Sequence, residues 1–169
     1  VDFKKNFRYL ADILDRSDRA EEVLAEYDQR IQRFRKQLEE NLQTNTVSVV
    51  HLIGSTVSIY GPGIVPYGQV MADAGIQLVP AYKNLENGYL GLSIENLPDW
   101  DADILFVVIS QTRDAKNLKS LSFLKQPIWS KLKAVQNGQV YAVNWAHTVV
   151  GPITATRFID ELYEYFNTS

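Results

Sequence analysis

Apolar residues recur along this chain in two rhythms. Phe3, Phe7, Leu10, Ala11 and Leu14 fall at helical spacing, and the pattern breaks at Asp15-Arg16-Ser17, where short polar side chains compete for backbone hydrogen bonds. Asp18 with Glu21 has the form of a capping box. Ala20, Val23, Leu24, Tyr27, Ile31, Phe34, Leu38 and Leu42 then mark one face of a long second helix. Its other face mixes Arg30, Arg33, Arg35 and Lys36 with Glu26, Glu39 and Glu40, the interspersed signs of a solvated surface.

The rhythm then changes. Val47 to Ile53 is a β-branched run ending at Gly54, the form of a buried strand. A loop punctuated by Gly61-Pro62-Gly63 and Pro66 is expected next, then a short helix from Tyr67 to Ala74 stopped by Gly75, and a brief strand at Ile76 to Val79. Leu92 to Leu97 reads as a small helix and Ile104 to Ile109 as the most apolar, hence central, strand. Loop and short helix fill Thr112 to Ser130. A strand follows at Val140 to Val143 after the turn Asn137-Gly138, and Pro152 opens a closing helix through Phe158, Ile159, Leu162 and Phe166. Strands alternating with helices predict an α/β three-layer sandwich around a mostly parallel sheet, without internal repeat or second domain.

Length and charge narrow the classes. At 169 residues, 46% apolar and 22% charged, one substantial core is expected. A net charge of -3 with no cationic run argues against nucleic acid as a partner. The absence of cysteine excludes disulfides, thiolate metal sites and cysteine nucleophiles, and leaves the redox compartment open. No apolar stretch is long enough to span a bilayer. The chain opens directly inside an amphipathic pattern, which reads as a start partway through a longer gene product.

Side-chain chemistry offers no catalytic anchor. The two histidines, His51 and His147, are far apart in sequence, and His51 lies within a strand, where a satisfied sheet residue is the expected role and a metal ligand is not. Asp99, Asp101 and Asp103 lack the glycine and terminal glutamate of a calcium loop and read as a polar turn. Gly54-Ser55 is no nucleophile elbow, and Gly61-Pro62-Gly63 has neither the lysine nor the hydroxyl of a phosphate loop. A hydrolase or transferase would need a catalytic pair that the sequence does not display, so no enzyme, no catalytic residue and no resident metal or cofactor are expected. The positions after the strands are instead aromatic and cationic: Tyr60 and Tyr67, then Arg113, then Trp145 and His147. At the carboxyl ends of strands such residues line a crevice where rings pack a bulky ligand and arginine meets an anion. Tyr67 and Trp145 would serve equally to cover the edge of the core.

Four stretches, in order, carry a resemblance. Leu10-Ala11-Asp12-Ile13-Leu14 leads into Ala20-Glu21-Glu22 and the Tyr27-x-x-x-Ile31 helix, and Val70 to Ile76 follows the first strand and its loop. Leu92-Ser93-Ile94-Glu95-Asn96-Leu97 precedes Asp101-Ala102-Asp103 and the apolar strand. Trp129 to Tyr141 follows the pattern Trp-x-x-leucine-x-Ala-Val-x-x-Gly-x-Val-Tyr and is the most specific of the four. The ordered set resembles the carboxy-terminal lobe of class III substrate-binding proteins of ABC importers, of the ferric-siderophore type.

The resemblance implies that residues 1–16 end a helix joining two lobes and that residues 17–169 form the second lobe. It implies a ferric siderophore as cargo held by Tyr60, Tyr67, Arg113, Trp145 and His147, with the missing amino-terminal lobe closing the cleft. It implies that Glu95 docks on the importer's permease subunits, with a buried helix cap as the lesser alternative for this residue. An extracytoplasmic, membrane-anchored location goes with it. A cobalamin or haem binder of the same family, or a stand-alone interaction domain, are the other readings.

Overall fold

The computed structural model describes residues 2–53, 56–85, 87–109, 125–145 and 149–167. Helix α1 (Phe3–Ile13) is capped by Asp2, whose side chain accepts from the Lys5 amide. It ends where Asp15 takes a φ of 53°, a left-handed turn that a short polar side chain tolerates. Helix α2 (Ser17–Gln37) begins one residue before the expected Asp18 cap, without a side-chain cap at Arg16. Asp18 lies in its first turn, where its charge faces the helix dipole, and Glu21 pairs with Arg8 of α1 instead of closing a box. The expected spacing buries Ala20, Leu24, Tyr27, Ile31 and Phe34.

After the short helix α3 (Glu39–Thr44) comes strand β1 (Thr46–Ile53). The glycine- and proline-rich stretch expected to be loop contains a strand, β2 (Thr56–Tyr60), so Tyr60 ends a strand and does not stand on a loop. Helix α4 (Gly68–Asp73) and strand β3 (Gln77–Leu78) follow, then a 3-10 turn at Pro80–Asn84 and a further unforeseen strand, β4 (Tyr89–Leu92). Leu92 therefore belongs to a strand, and the small helix expected from it is a 3-10 helix at Ile94–Trp100. Strand β5 (Ile104–Ile109), a 3-10 turn at Trp129–Lys131, helix α5 (Lys133–Gln136), strand β6 (Val140–Val143) and helix α6 (Pro152–Asn167) complete the order.

The sheet runs β4-β2-β1-β5-β6. β1 with β5, β5 with β6 and β1 with β3 are parallel, whereas the β2 and β4 margin is antiparallel. β1, and not β5 as expected, holds the middle of this order; β5 is an interior strand between β1 and β6, buried throughout its first five residues, as its composition requires. Helices α1, α2, α4 and α6 cover one face over Val49, Phe106 and Val108. The 3-10 segments and α5 cover the other over Val50, Leu105 and Val107.

The edge of β1 changes partner along its length. Thr46 and Val47 pair with β3, and His51 to Ile53 pair with β2. Between these ladders the Tyr82 hydroxyl accepts from the Val49 amide at 3.0 Å and donates to the Val49 carbonyl at 2.9 Å, satisfying two buried groups that no strand reaches. The Asp101-Ala102-Asp103 turn is likewise structural. Asp101 accepts from the Lys133 amide at 2.7 Å at the start of α5. Asp103 accepts from the Thr46 amide and hydroxyl, both at 2.8 Å, and pairs with Lys133.

Candidate functional site

The last residues of β1 and β2 bring aromatic side chains together on the helical face. Antiparallel register sets His51 opposite Ser58 and Tyr60 opposite Tyr89, so His51, Tyr60 and Tyr89 share one face by the two-residue period of strands. The rings of His51 and Tyr60 meet edge to face at 4.7 Å, and Tyr60 stacks on Tyr89 at 5.9 Å with 24° between planes. Tyr67 enters from the loop before α4, its hydroxyl 2.6 Å from Nε2 of His51. That approach depends on a tight return of the chain: a Cβ on Gly68 would collide with the Pro62 backbone, so only glycine fits.

Behind Tyr67 the cluster passes into the core. Tyr67 tilts against Trp145 at 5.4 Å and Phe158 at 5.9 Å, and Trp145 contacts Phe106 at 4.5 Å while its indole nitrogen donates to Glu161 at 2.8 Å. Tyr67 is 2% exposed and Trp145 1%. Both side chains stand beneath the surface at the edge of the core. Tyr60 is half-buried and Tyr89 is 70% exposed, so the open part of the cluster is this tyrosine pair. Arg113 and His147 lie outside the described residues.

The buried His51–Tyr67 pair is neutral at neutral pH. Burial lowers His51 to a pKa of about 4 and raises the Tyr67 phenol well above its ordinary value. A neutral imidazole bonded to a neutral phenol is a satisfied pair, and His51 stands within strand β1. Among the described residues no group of three histidine or carboxylate side chains could hold a metal ion. An uncharged, ring-faced surface can pack bulky organic matter, while polar selectivity has to come from elsewhere.

Glu95 occupies a separate surface. It lies in the first turn of the 3-10 helix after Ser93, is exposed, and receives a 3.4 Å hydrogen bond from the Ser93 hydroxyl. The buried capping role is thereby removed. Tyr89 was not legible in the sequence: it stands on β4, whose four residues pair with Val57 to Tyr60 and carry no local strand signal of their own.

The family model described as "Periplasmic binding protein" matches residues 2–144. The probable siderophore-binding lipoprotein YfiY of Bacillus subtilis (strain 168) is 29% identical over 97% of this chain and 53% of its own length. The achromobactin-binding periplasmic protein of Dickeya dadantii (strain 3937) is 26% identical over 84% and 48% respectively. In fold, the chain resembles FeuA from Bacillus subtilis complexed with ferri-bacillibactin, with a TM-score of 0.79 at 22% identity, covering 99% of this chain and 60% of that one. Staphylococcus aureus SirA gives a TM-score of 0.80 at 26% identity, covering 99% and 65%. The chain thus spans about half the length of the curated relatives it matches. With the strand order, the helical face and a family match over most of its residues agreeing, this chain belongs to the periplasmic binding protein family.

Proposed function

We propose that this chain is the carboxy-terminal lobe of a substrate-binding protein that captures a ferric siderophore and delivers it to an ABC importer. The observation that carries this reading is that curated relatives matched over 80–97% of the chain are named as a probable siderophore-binding lipoprotein, an iron(3+)-hydroxamate-binding protein and an Fe(3+)-citrate-binding protein. The uncharged aromatic surface of Tyr60 and Tyr89, braced by His51, Tyr67 and Trp145, suits a bulky organic chelate better than a bare ion. On this reading residues 1–16 end the helix between lobes and residues 17–169 form the lobe itself. Arg113 and His147 would complete the ligand set, and Glu95 would meet cationic side chains of the permease. An extracytoplasmic, anchored location fits the relatives named as lipoprotein or periplasmic. No helix among the described residues is long and apolar enough to cross a membrane.

One wall leaves a ligand largely solvated, so the 169-residue chain alone should hold a chelate far more weakly than a closed cleft. The test is tryptophan quenching of the full-length gene product on titration with ferric hydroxamate, catecholate and citrate complexes. Binding at micromolar concentrations is expected for at least one. Failure of all three, or co-purification of a cobalamin or haem chromophore, would refute the siderophore assignment. Glu95→Arg is expected to leave that titration unchanged and to abolish iron uptake in cells, because it reverses the charge offered to the permease without touching the aromatic cluster.

A further inference from the structure

The aromatic cluster is a row of rings running from the core to the surface, and one member of the row is a histidine. Its inner end is anchored. Trp145 packs on Phe106 at 4.5 Å and on Phe158 at 4.8 Å, and Tyr67 leans on Trp145 with its chain drawn in by the contact of Gly68 with Pro62. Its outer end has little of its own to hold it, because Tyr89 is 70% exposed and stands on the marginal strand β4.

His51 is the link between the two ends. Pairing with Ser58 on one side and Val108 on the other fixes its backbone inside the sheet. The Tyr67 hydroxyl, 2.6 Å from Nε2, fixes how the imidazole is turned, and the two ring planes lie within 15° of each other. The ring so held meets Tyr60 edge to face at 4.7 Å, and Tyr60 in turn carries the stacked Tyr89.

We propose that His51 is a positioning residue for ligand capture: its bond to Tyr67 seats the Tyr60 ring, and through it Tyr89, in the attitude that the ligand meets. The proposal rests on the reading of Tyr60 and Tyr89 as a ligand wall and deepens it by naming a determinant of affinity that acts through another residue. A leucine at position 51 would fill the same place on an apolar face, yet it offers no nitrogen to the Tyr67 phenol and no ring edge to Tyr60. Imidazole offers both. Rings that are ordered before the ligand arrives lose no freedom on binding, and for two tyrosines that advantage is about tenfold in affinity.

A double-mutant cycle on the full-length gene product tests this, with whichever of the ferric hydroxamate, catecholate and citrate complexes binds the parent as the probe. His51→Leu is expected to weaken binding about tenfold in the parent, and by less than about twofold when Tyr60→Ala is already present, because nothing is left to position. Tyr67→Phe keeps every ring and deletes only the bond; it should weaken binding about threefold, and it decides the matter should His51→Leu fail to fold. Spectra of ring-13C-labelled tyrosine add a readout that needs no ligand. Tyr89 meets His51 only through Tyr60, so its resonances, assigned by their loss in Tyr89→Phe, should move toward free-tyrosine values in both variants. Losses that multiply in the double variant, or Tyr89 resonances that stay in place, would overturn the proposal. The two claims fail separately. A parent that binds none of the three complexes while the Tyr89 resonances respond rejects the siderophore reading and keeps the positioning of the outer rings; binding with those resonances unmoved does the reverse.

Discussion

Replacing Tyr82 by Phe removes one oxygen atom from the most demanding point of the sheet. That oxygen serves both the amide and the carbonyl of Val49, at 3.0 and 2.9 Å, in the gap between the β3 and β2 ladders. Tyr82 is 5% exposed and Val49 4%. Burial pushes the phenol up to about 12, so it remains a neutral donor at any pH where the protein is handled. The ring of a phenylalanine would keep the edge-to-face contact with Trp100 at 5.0 Å, and the apolar packing is therefore nearly conserved. What changes is that two buried backbone groups lose their partner. Each such loss costs roughly 1–3 kcal/mol, partly offset because the buried hydroxyl no longer has to be desolvated, which leaves about 3 kcal/mol. With a urea dependence of about 2 kcal/mol/M for a domain of this size, the unfolding midpoint should fall by about 1.5 M. Urea titration followed by tryptophan fluorescence reads this directly, and the Val49 amide should exchange faster in the variant. A midpoint within about 0.3 M of the parent would show that Tyr82 is not what satisfies the gap.

Other outcomes follow from the same contacts. Ser48 is fully buried and its hydroxyl has no partner in good hydrogen-bond geometry among the described residues, with the Tyr82 phenol its nearest polar neighbour, so Ser48→Ala should be neutral or stabilising by up to about 1 kcal/mol in the same urea assay; a clear loss would mean that the hydroxyl bonds to the phenol. His51 titrates near 4 when folded and near 6.5 when unfolded, so the unfolded chain takes up its proton first on acidification. Its contribution is fully present above pH 6.5 and falls by about 1.4 kcal/mol per unit below it, a total loss of about 3 kcal/mol by pH 4. In His51→Gln that slope should be absent, and a parent and variant with parallel pH profiles would contradict the burial argument. For Asp103, burial alone would raise the carboxyl, but Lys133 and the Thr46 donors outweigh it and the net shift is downward. Its contribution is present above the unfolded value of 3.8 and is lost as pH falls through the lower folded one. Asp103→Asn should therefore cost about 1–2 kcal/mol at pH 7 and progressively less below pH 4, as measured by thermal unfolding across that range.

Much of the architecture was determined by the sequence alone, wherever a signal was local. The β-branched run of β1 and the uninterrupted apolar run of β5 can only be buried strands; β5 spans the expected residues and β1 begins one residue before them. The helical spacing of α2 and α6 and the proline that opens α6 were equally legible, because one turn of helix repeats within four residues. Only the tertiary structure decided the antiparallel margin. β2 and β4 are four or five residues each and gain their hydrogen bonds from one another and from β1, over separations that no local pattern records. The functional surface divides for the same reason. Sequence placed Tyr60, Tyr67 and Trp145 near strand ends, but their exposure depends on what folds over them. The chain buries Tyr67 and Trp145 against Phe106 and Phe158 and leaves Tyr60 at the rim with Tyr89. Residue type and spacing fix what a side chain can do, whereas burial and register, which arise from long-range contacts, fix which surface it serves.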